Sequence, residues 1–583
     1  MSSIPTRANQ KQGIGRIDGG PSLYIRMALR KTWLFVLLLI LLFCFIIPLF
    51  KLILLSFEGQ GSLGLSSYMD VMNEPRTWKT LKDTLWIVAG STLVSAVCGI
   101  GAAWVMAYTD IRGKQALHLV MLLSFILPSY VLTLSWASFL GNQGLAAQLL
   151  RLFDPGAKPF SIYSYGGIIF VMGIHHFPLV YLLTLSVLKK IPRDLEWAGR
   201  VSGTGRWKVF FRITLPLAMP GLAGGTLLAF LASLDNFGIP AFLGIPVGIS
   251  VLSTLIYEEI AGFGPSAFSR AAVLSMLLGL LALGGTLVQW AAVRRVRTGE
   301  SAKEDDRPRI RLGRYRGMLE VILWGGFAVI TFVPLLSMAA TSLKRAYGLP
   351  FTWSNMTFAN YRYVLLDNPR VGEAVETSLT LALVTLVSCL LAGTALAYAS
   401  VRRPSWITRL AESAVSIPYT LPGIVFGLMM ILAWMEPVPG WNPGIYGSAG
   451  ILLIAYFCRF LILQVRASVS AIMQVDPATE EASRMFGAGS WKLWRYVLLP
   501  QLLPGLAGGA LLVFLTALTE LTVSALLWSP GSRTIGVTIF NFEQAGDTAY
   551  STALSSLIVL LILIGFGMLQ LVKRFSGRRE ENS

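Results

Sequence analysis

Six polar side chains stand out for where they lie. Asp235, Asn236, Glu520, His175, His176 and Arg459 each fall within or beside a long apolar run. An acid or arginine at the centre of a membrane-spanning helix costs about 2.5–3.5 kcal/mol, so it normally faces a cavity or a partner. Asp235 and Glu520 offer oxygen ligands of the kind a hard cation such as ferric ion prefers. Arg459 with the two histidines offers donors for an anion. A third reading competes with both: Arg459 and Glu520 neutralise one another and pin two helices together. No catalytic residue is expected. The three histidines and four cysteines (Cys44, Cys98, Cys389, Cys458) show no metal-ligand spacing, so no stably bound metal is expected either.

The elements that must hold these groups follow from composition. The chain has 583 residues, 54% hydrophobic and only 13% charged, about half the charge of ordinary soluble domains. Apolar runs of about 20 residues recur, each long enough to cross a hydrocarbon core as a helix. Twelve spans are expected, near 33–56, 84–109, 116–140, 165–188, 218–243, 271–293, 317–341, 376–400, 411–435, 449–472, 504–528 and 552–572. Barrel strands would be shorter and would alternate, so the predicted class is all-α and polytopic. The first run lies behind a polar N-terminal stretch and lacks a small-residue cleavage site, so it is expected to stay in the mature protein. The net charge of +18 raises the question of nucleic acid. Lys and Arg, however, concentrate in alternate loops, which is the positive-inside pattern. The basic excess is therefore topology: a multi-pass chain in a lipid bilayer, both termini cytoplasmic, with no nucleic-acid partner.

The stretch 294–316, "RRVRTGESAKEDDRPRIRLGRYR", is charged throughout and reads as a cytoplasmic linker. It divides the chain into a cytoplasmic N-terminal segment 1–32, a first half 33–293 and a second half 317–572, followed by a cytoplasmic tail 573–583. Six spans per half return each half to the same side, so the halves form a parallel repeat. Glu196–Leu231 and Glu480–Leu515, 284 residues apart, are identical at about 19 of 36 positions. "LPSYV" at Leu127 echoes "LPGIV" at Leu421, and "MAYTDIRGK" at Met106 echoes "LAYASVRRP" at Leu396.

The repeated text is a polar loop, "EWAGRVSGTGRWKVFFRITLP" and "EEASRMFGAGSWKLWRYVLLP". In the second copy Asp476 suits an N-cap, Pro477 a first helical position and Glu480 and Glu481 the early turns. Gly487 ends the helix. Ala478, Ala482, Met485 and Phe486 share one face at helical spacing. Trp491 and Trp494 mark a second short helix. A single copy would suit a helix pair resting on lipid headgroups. Two copies in matching places suit paired docking sites for a two-fold symmetric partner.

The loop resembles the E-A-A-x3-G-x9-I-x-L-P signature of bacterial ATP-binding-cassette importer permeases. Glu481, Ala482, Ser483, Gly487, Val497, Leu499 and Pro500 fall on it in register, as do Ala198, Gly199, Gly203, Ile213, Leu215 and Pro216. Trp197 replaces the motif acid of the first copy, with Glu196 one position earlier. The resemblance covers nearly the whole chain, as two fused type I permease halves. It implies an inner-membrane subunit whose loops insert into an ATPase homodimer, with solute delivered by a binding protein. No G-x-x-x-x-G-K-[ST] motif occurs, so ATP and Mg²⁺ are expected on the separate ATPase and no cofactor on this chain.

Interrupted helices at equivalent places in two halves point to a transport site. "SLDNFGIP" from Ser233 and "ALTELTVS" from Ala517 provide such a pair. "FGIPAFLG" and "ELTVSALLWSPGSRTIGVTIFN" look like fused permeases of ferric-iron importers. That resemblance ranks ferric iron first and 2-aminoethylphosphonate second, with thiamine and polyamines as further relatives' cargoes. An ion-coupled secondary transporter is the alternative of another class; it leaves the doubled loop without a purpose. A non-transporting membrane scaffold leaves the interrupted helices without one.

Overall fold

The computed structural model describes residues 42–59, 62–154, 160–262, 264, 266–293, 305, 307–435 and 444–580. The segment 1–32 and linker residues 294–304 and 306 lie outside the described residues. Among those described, the architecture is all-α apart from a short ladder pairing Glu58–Gly59 with Ser62–Leu63. Nine helices are long and apolar enough to cross a bilayer, or up to twelve if each of three sharply bent pairs counts as one crossing.

Two expected single spans are among the bent pairs. The run near 116–140 turns by 100° between Lys114–Ile126 and the helix beginning at Ser129, and the run near 411–435 turns by 112° between Trp406–Thr420 and Gly423–Trp434. The cause is a proline at the same place in each half. Pro128 and Pro422 lack an N–H, and the residue before a proline is pushed out of helical conformation. Leu127 and Leu421 accordingly sit at ψ 138° and 143°. The fifth spans also stop early, at Asp235 and Leu518. Beyond them, where no crossing is expected, lie two short helices, Leu252–Ala261 and Ile535–Gln544. At ten residues each, they are too short to give a span signal.

Each half is built on a three-helix core. Pro75–Tyr108, Tyr165–Lys190 and Leu215–Asp235 pack together in the first half, and Pro369–Arg402, Ala449–Gln474 and Leu499–Leu518 in the second. Small residues allow the close approach, as is usual between helices in lipid. A Cβ on Gly99 would lie 2.7 Å from the Phe177 carbonyl, and one on Gly173 2.6 Å from Val94.

The halves interlock by exchanging their first helices. Ile47–Ser56 packs against Gly423–Trp434 of the second half, and Arg316–Ser342 packs against Ser129–Leu140 of the first. Between the halves, Phe237, Phe242 and Tyr257 surround Phe540, with ring centroids 5.5–5.8 Å away. One buried apolar cluster runs through both halves.

Candidate functional site

The two polar loops lie at corresponding ends of the two cores and are built alike. In the second, Asp476 caps Pro477–Met485 by accepting the Ala478 N–H at 2.9 Å. In the first, Arg193–Val201 begins after Pro192 without a side-chain cap. Both helices end in the same way. Gly203 and Gly487 take φ +81° and +79°, a region that penalises any residue with a Cβ. The next residue's N–H then reaches back to an orphan carbonyl, Thr204 to Gly199 at 3.1 Å and Ala488 to Ser483 at 3.0 Å. This is the Schellman closure. The following turn widens, so that the N–H of Leu215 meets the Phe210 carbonyl and that of Leu499 the Trp494 carbonyl. Pro216 and Pro500 follow, and the wider turn suits residues that cannot donate.

The loops present apolar side chains outward. Met485 and Phe486 are 88% and 93% exposed, and Ala478 and Ala482 share their surface. Trp197, Ala198 and Val201 form the counterpart on the first helix. Trp491 is exposed, whereas Trp494 packs on Tyr398 with centroids 4.9 Å apart.

The acids divide in a way the motif alignment does not reveal. Glu481 points outward, while Glu480 is buried. Glu480 accepts hydrogen bonds from the Tyr398 hydroxyl at 2.9 Å and Arg402 Nε at 2.6 Å. Its equivalent by the 284 shift is Glu196, which accepts from the Tyr108 hydroxyl and from Thr214, both at 2.7 Å, and pairs with Arg309 Nη1 at 2.9 Å. The first loop therefore has its anchoring acid despite Trp197. Tyr108, Tyr398, Arg402 and Arg309 were missed in the sequence. The available signal was that Glu196 and Glu480 are the one acid identical in both loops.

The intramembrane groups gather at the broken spans. Arg459 donates from Nη1 to the carbonyls of Pro418 and Leu421, both at 3.2 Å, and from Nη2 to Asp235 Oδ2 at 2.9 Å. The other Asp235 oxygen accepts the Gly423 N–H. Arg459 and Asp235 thus close both sides of the Leu421–Pro422 break, one from each half. This corrects the pairing of Arg459 with Glu520. Glu520 is occupied by its own backbone, accepting from the N–H groups of Val523 at 2.7 Å and Ser524 at 2.9 Å. Asn236, its equivalent by 284, accepts the Ile239 N–H at 3.0 Å. Both start the short helix after the break.

His175 takes the place of Arg459 in the first half. Its Nδ1 lies 3.0 Å from the Ser124 carbonyl, at the end of the helix that Pro128 breaks. His176 Nδ1 lies 3.1 Å from Ser233 Oγ. Among the described residues, no three His, Cys, Asp or Glu side chains come together. Asp235, 38% exposed at its side chain, is the most accessible of these charged groups; Arg459 is 8% exposed and Glu520 is buried.

A profile of binding-protein-dependent transport system inner membrane components matches residues 95–298 and 389–579. The ferric transport system permease protein FbpB of Actinobacillus pleuropneumoniae is 23% identical, over 90% of this chain and 76% of its own. A putative ferric transport system permease protein, FbpB 1 of Haemophilus influenzae, is 26% identical over 84% and 76%. The molybdenum transport system permease protein ModB of Escherichia coli is 31% identical; 39% of this chain covers 99% of ModB. One half here thus corresponds to a whole chain there.

Proposed function

The chain belongs to the family of binding-protein-dependent transport system inner membrane components, and from that premise we propose that it carries ferric iron through the membrane for one ATPase homodimer. It is the permease subunit of an ABC importer and not itself an enzyme. The observation that carries the rest is the pair of loops. Each holds a short helix on an inward-facing, hydrogen-bonded glutamate, closes it on a left-handed glycine and turns an apolar face outward. Two such faces on one chain suit the two grooves of a symmetric ATPase, so a single copy completes the pathway.

In this reading ATP and Mg²⁺ sit on the ATPase, and both termini and both loops are cytoplasmic. Trp197, Ala198, Gly203, Glu481, Ala482 and Gly487 make the docking surface, with Glu196 and Glu480 as anchors. Leu215–Pro216 and Leu499–Pro500 pass movement into the long helices. A binding protein delivers solute at the opposite face. Asp235 and Arg459 meet where the two halves join, which suits a group that the solute passes. Glu520, Asn236, His175 and His176 brace the broken helices around it.

Ferric iron is favoured over an anionic cargo by the names of the relatives that match most of the chain; the Arg459–Asp235 pair engages a candidate group for either sign of cargo and does not choose between them. The test is uptake of labelled ferric iron in cells with and without the gene, with labelled 2-aminoethylphosphonate in parallel. Loss of iron uptake alone supports the assignment. Loss of phosphonate uptake alone overturns the cargo and leaves the importer standing.

A further inference from the structure

The first loop helix is held by an arginine that does not belong to its own half. In the second half Arg402, the last residue of Pro369–Arg402, donates to Glu480 and, at 2.7 Å, to the carbonyl of Val475. In the first half the same two contacts are made by Arg309. It pairs with Glu196 and donates to the carbonyl of Ile191, the 284 equivalent of Val475. Its guanidinium also lies 4.7 Å from the Tyr108 ring centroid. Arg309 comes from the charged linker. The residue aligned with Arg402 is Arg112, whose side chain is exposed and whose backbone N–H donates to Glu320.

The described linker residues, 305 and 307–316, are fastened to the first half at several points. The Asp305 N–H donates to the Lys189 carbonyl at 2.9 Å, and the Asp305 carboxylate pairs with Arg193 at 2.9 Å. Arg193 also donates to the Pro308 carbonyl at 2.8 Å. The N–H groups of Arg309 and Ile310 both meet the Tyr108 carbonyl at 2.8 Å. The Leu312 N–H meets Asp110 Oδ1 at 3.0 Å. Four residues later begins Arg316–Ser342, the helix exchanged into the first half.

We infer that Arg309 is a positioning residue for the first ATPase-docking helix and that the linker is a structural wall of that site. The second docking helix is anchored within its own half. The first is tied to the segment that opens the second half, so its displacement pulls directly on Arg316–Ser342. The two docking sites are therefore mechanically different even though their helices match. The inference rests on the docking role proposed above, but its test does not need the ATPase.

The test is amide hydrogen exchange on the full purified chain, comparing wild type with R309A, R309K and R402A. R309A is expected to raise exchange of Arg193–Val201 about tenfold, as for a lost charged hydrogen bond, and to leave Pro477–Met485 unchanged. R402A is expected to do the reverse. R309K keeps one charge contact but not the planar fork, so its rate should fall between wild type and R309A. E196Q combined with R309A should exchange little faster than R309A alone. Unchanged exchange at Arg193–Val201 in R309A, or an equal rise in both helices, overturns the inference. If R309A does not fold, R309K decides, and a wild-type rate in R309K overturns it. Stimulation of the ATPase by the chain, measured separately, decides the docking role, so the two ideas fail independently.

Discussion

Replacing Glu480 and Glu481 one at a time separates a residue that holds the second loop helix from one that the helix offers to a partner. The Glu480 side chain is 8% exposed and that of its partner Arg402 14%. Exposed ion pairs contribute about 0.2–1 kcal/mol, and removing one partner of a fully buried pair costs about 3–5 kcal/mol. Glu480→Ala lies between these limits, because Arg402 keeps the Val475 carbonyl while the Tyr398 hydroxyl loses its acceptor. We expect a cost of about 2–3 kcal/mol, or roughly 30- to 150-fold in the local opening equilibrium. Amide exchange across Pro477–Met485 reads that number directly. Glu481→Ala, whose side chain is exposed and makes no hydrogen bond or ion pair among the described residues, should shift stability by less than about 0.5 kcal/mol yet lower uptake. Equal exchange in the two variants, or unchanged exchange in Glu480→Ala, would refute the division of roles.

Other expectations follow from the same geometry. Gly203→Ala and Gly487→Ala should each cost about 1–2 kcal/mol from the left-handed backbone alone, since a Cβ at either position meets open space. Gly487→Trp should in addition uncouple ATP hydrolysis from uptake while the protein still inserts, checked by hydrolysis and uptake in the same vesicles. Arg459→Ala strips the Pro418 and Leu421 carbonyls and Asp235 of a partner at once. It should cost about 3–5 kcal/mol, seen as a large drop in the thermal midpoint in detergent. Glu520→Gln keeps one acceptor for two N–H groups and should cost about 1–2 kcal/mol, with uptake per folded molecule unchanged; a selective loss of uptake would return Glu520 to the path. Asp110 gives a pH prediction. Accepting the Leu312 N–H, with Arg316 and Arg311 nearby, holds its carboxyl below the usual carboxylate range. A depressed pKa contributes stability above the unfolded value and loses it as pH falls through the folded one. Linker protection at Leu312 should therefore be flat from neutral pH to about 5 and fall only in stronger acid. Asp110→Ala should lack that acid step.

Much of this arrangement was legible in the sequence because it rests on local signals. Apolar run length marked the crossings, and the 284-residue repeat marked the two loops and where they end, at Gly203 and Gly487. The breaks at Leu127–Pro128 and Leu421–Pro422 were visible as an echo but were read through, because hydropathy counts apolar residues and ignores the missing N–H of a proline. The partner of Arg459 was not legible. Asp235 and Glu520 were equivalent candidates by type and depth, and only their neighbours' free N–H groups distinguish them. Arg309 was the least visible. It lies in a segment of alternating charge that composition assigns to solvent, and its contact with Glu196 spans more than a hundred residues.

The exchanged first helices set a schedule for biogenesis. Ile47–Ser56 is among the first parts of the chain to enter the bilayer and packs on Ala267–Val293 of its own half, yet its other seat, Gly423–Trp434, is made about 367 residues later (423 − 56). At roughly 5–20 residues per second of synthesis, that helix waits about 20–70 s in lipid without its final neighbour. Most of its side chains are apolar and lipid satisfies them, but Lys51 reaches the Leu432 carbonyl, 3.1 Å away, only once that seat is made. Assembly of the first half therefore finishes only when the second is well under way. A ribosome that stalls in the second half leaves this helix with one side uncovered for membrane quality control to recognise.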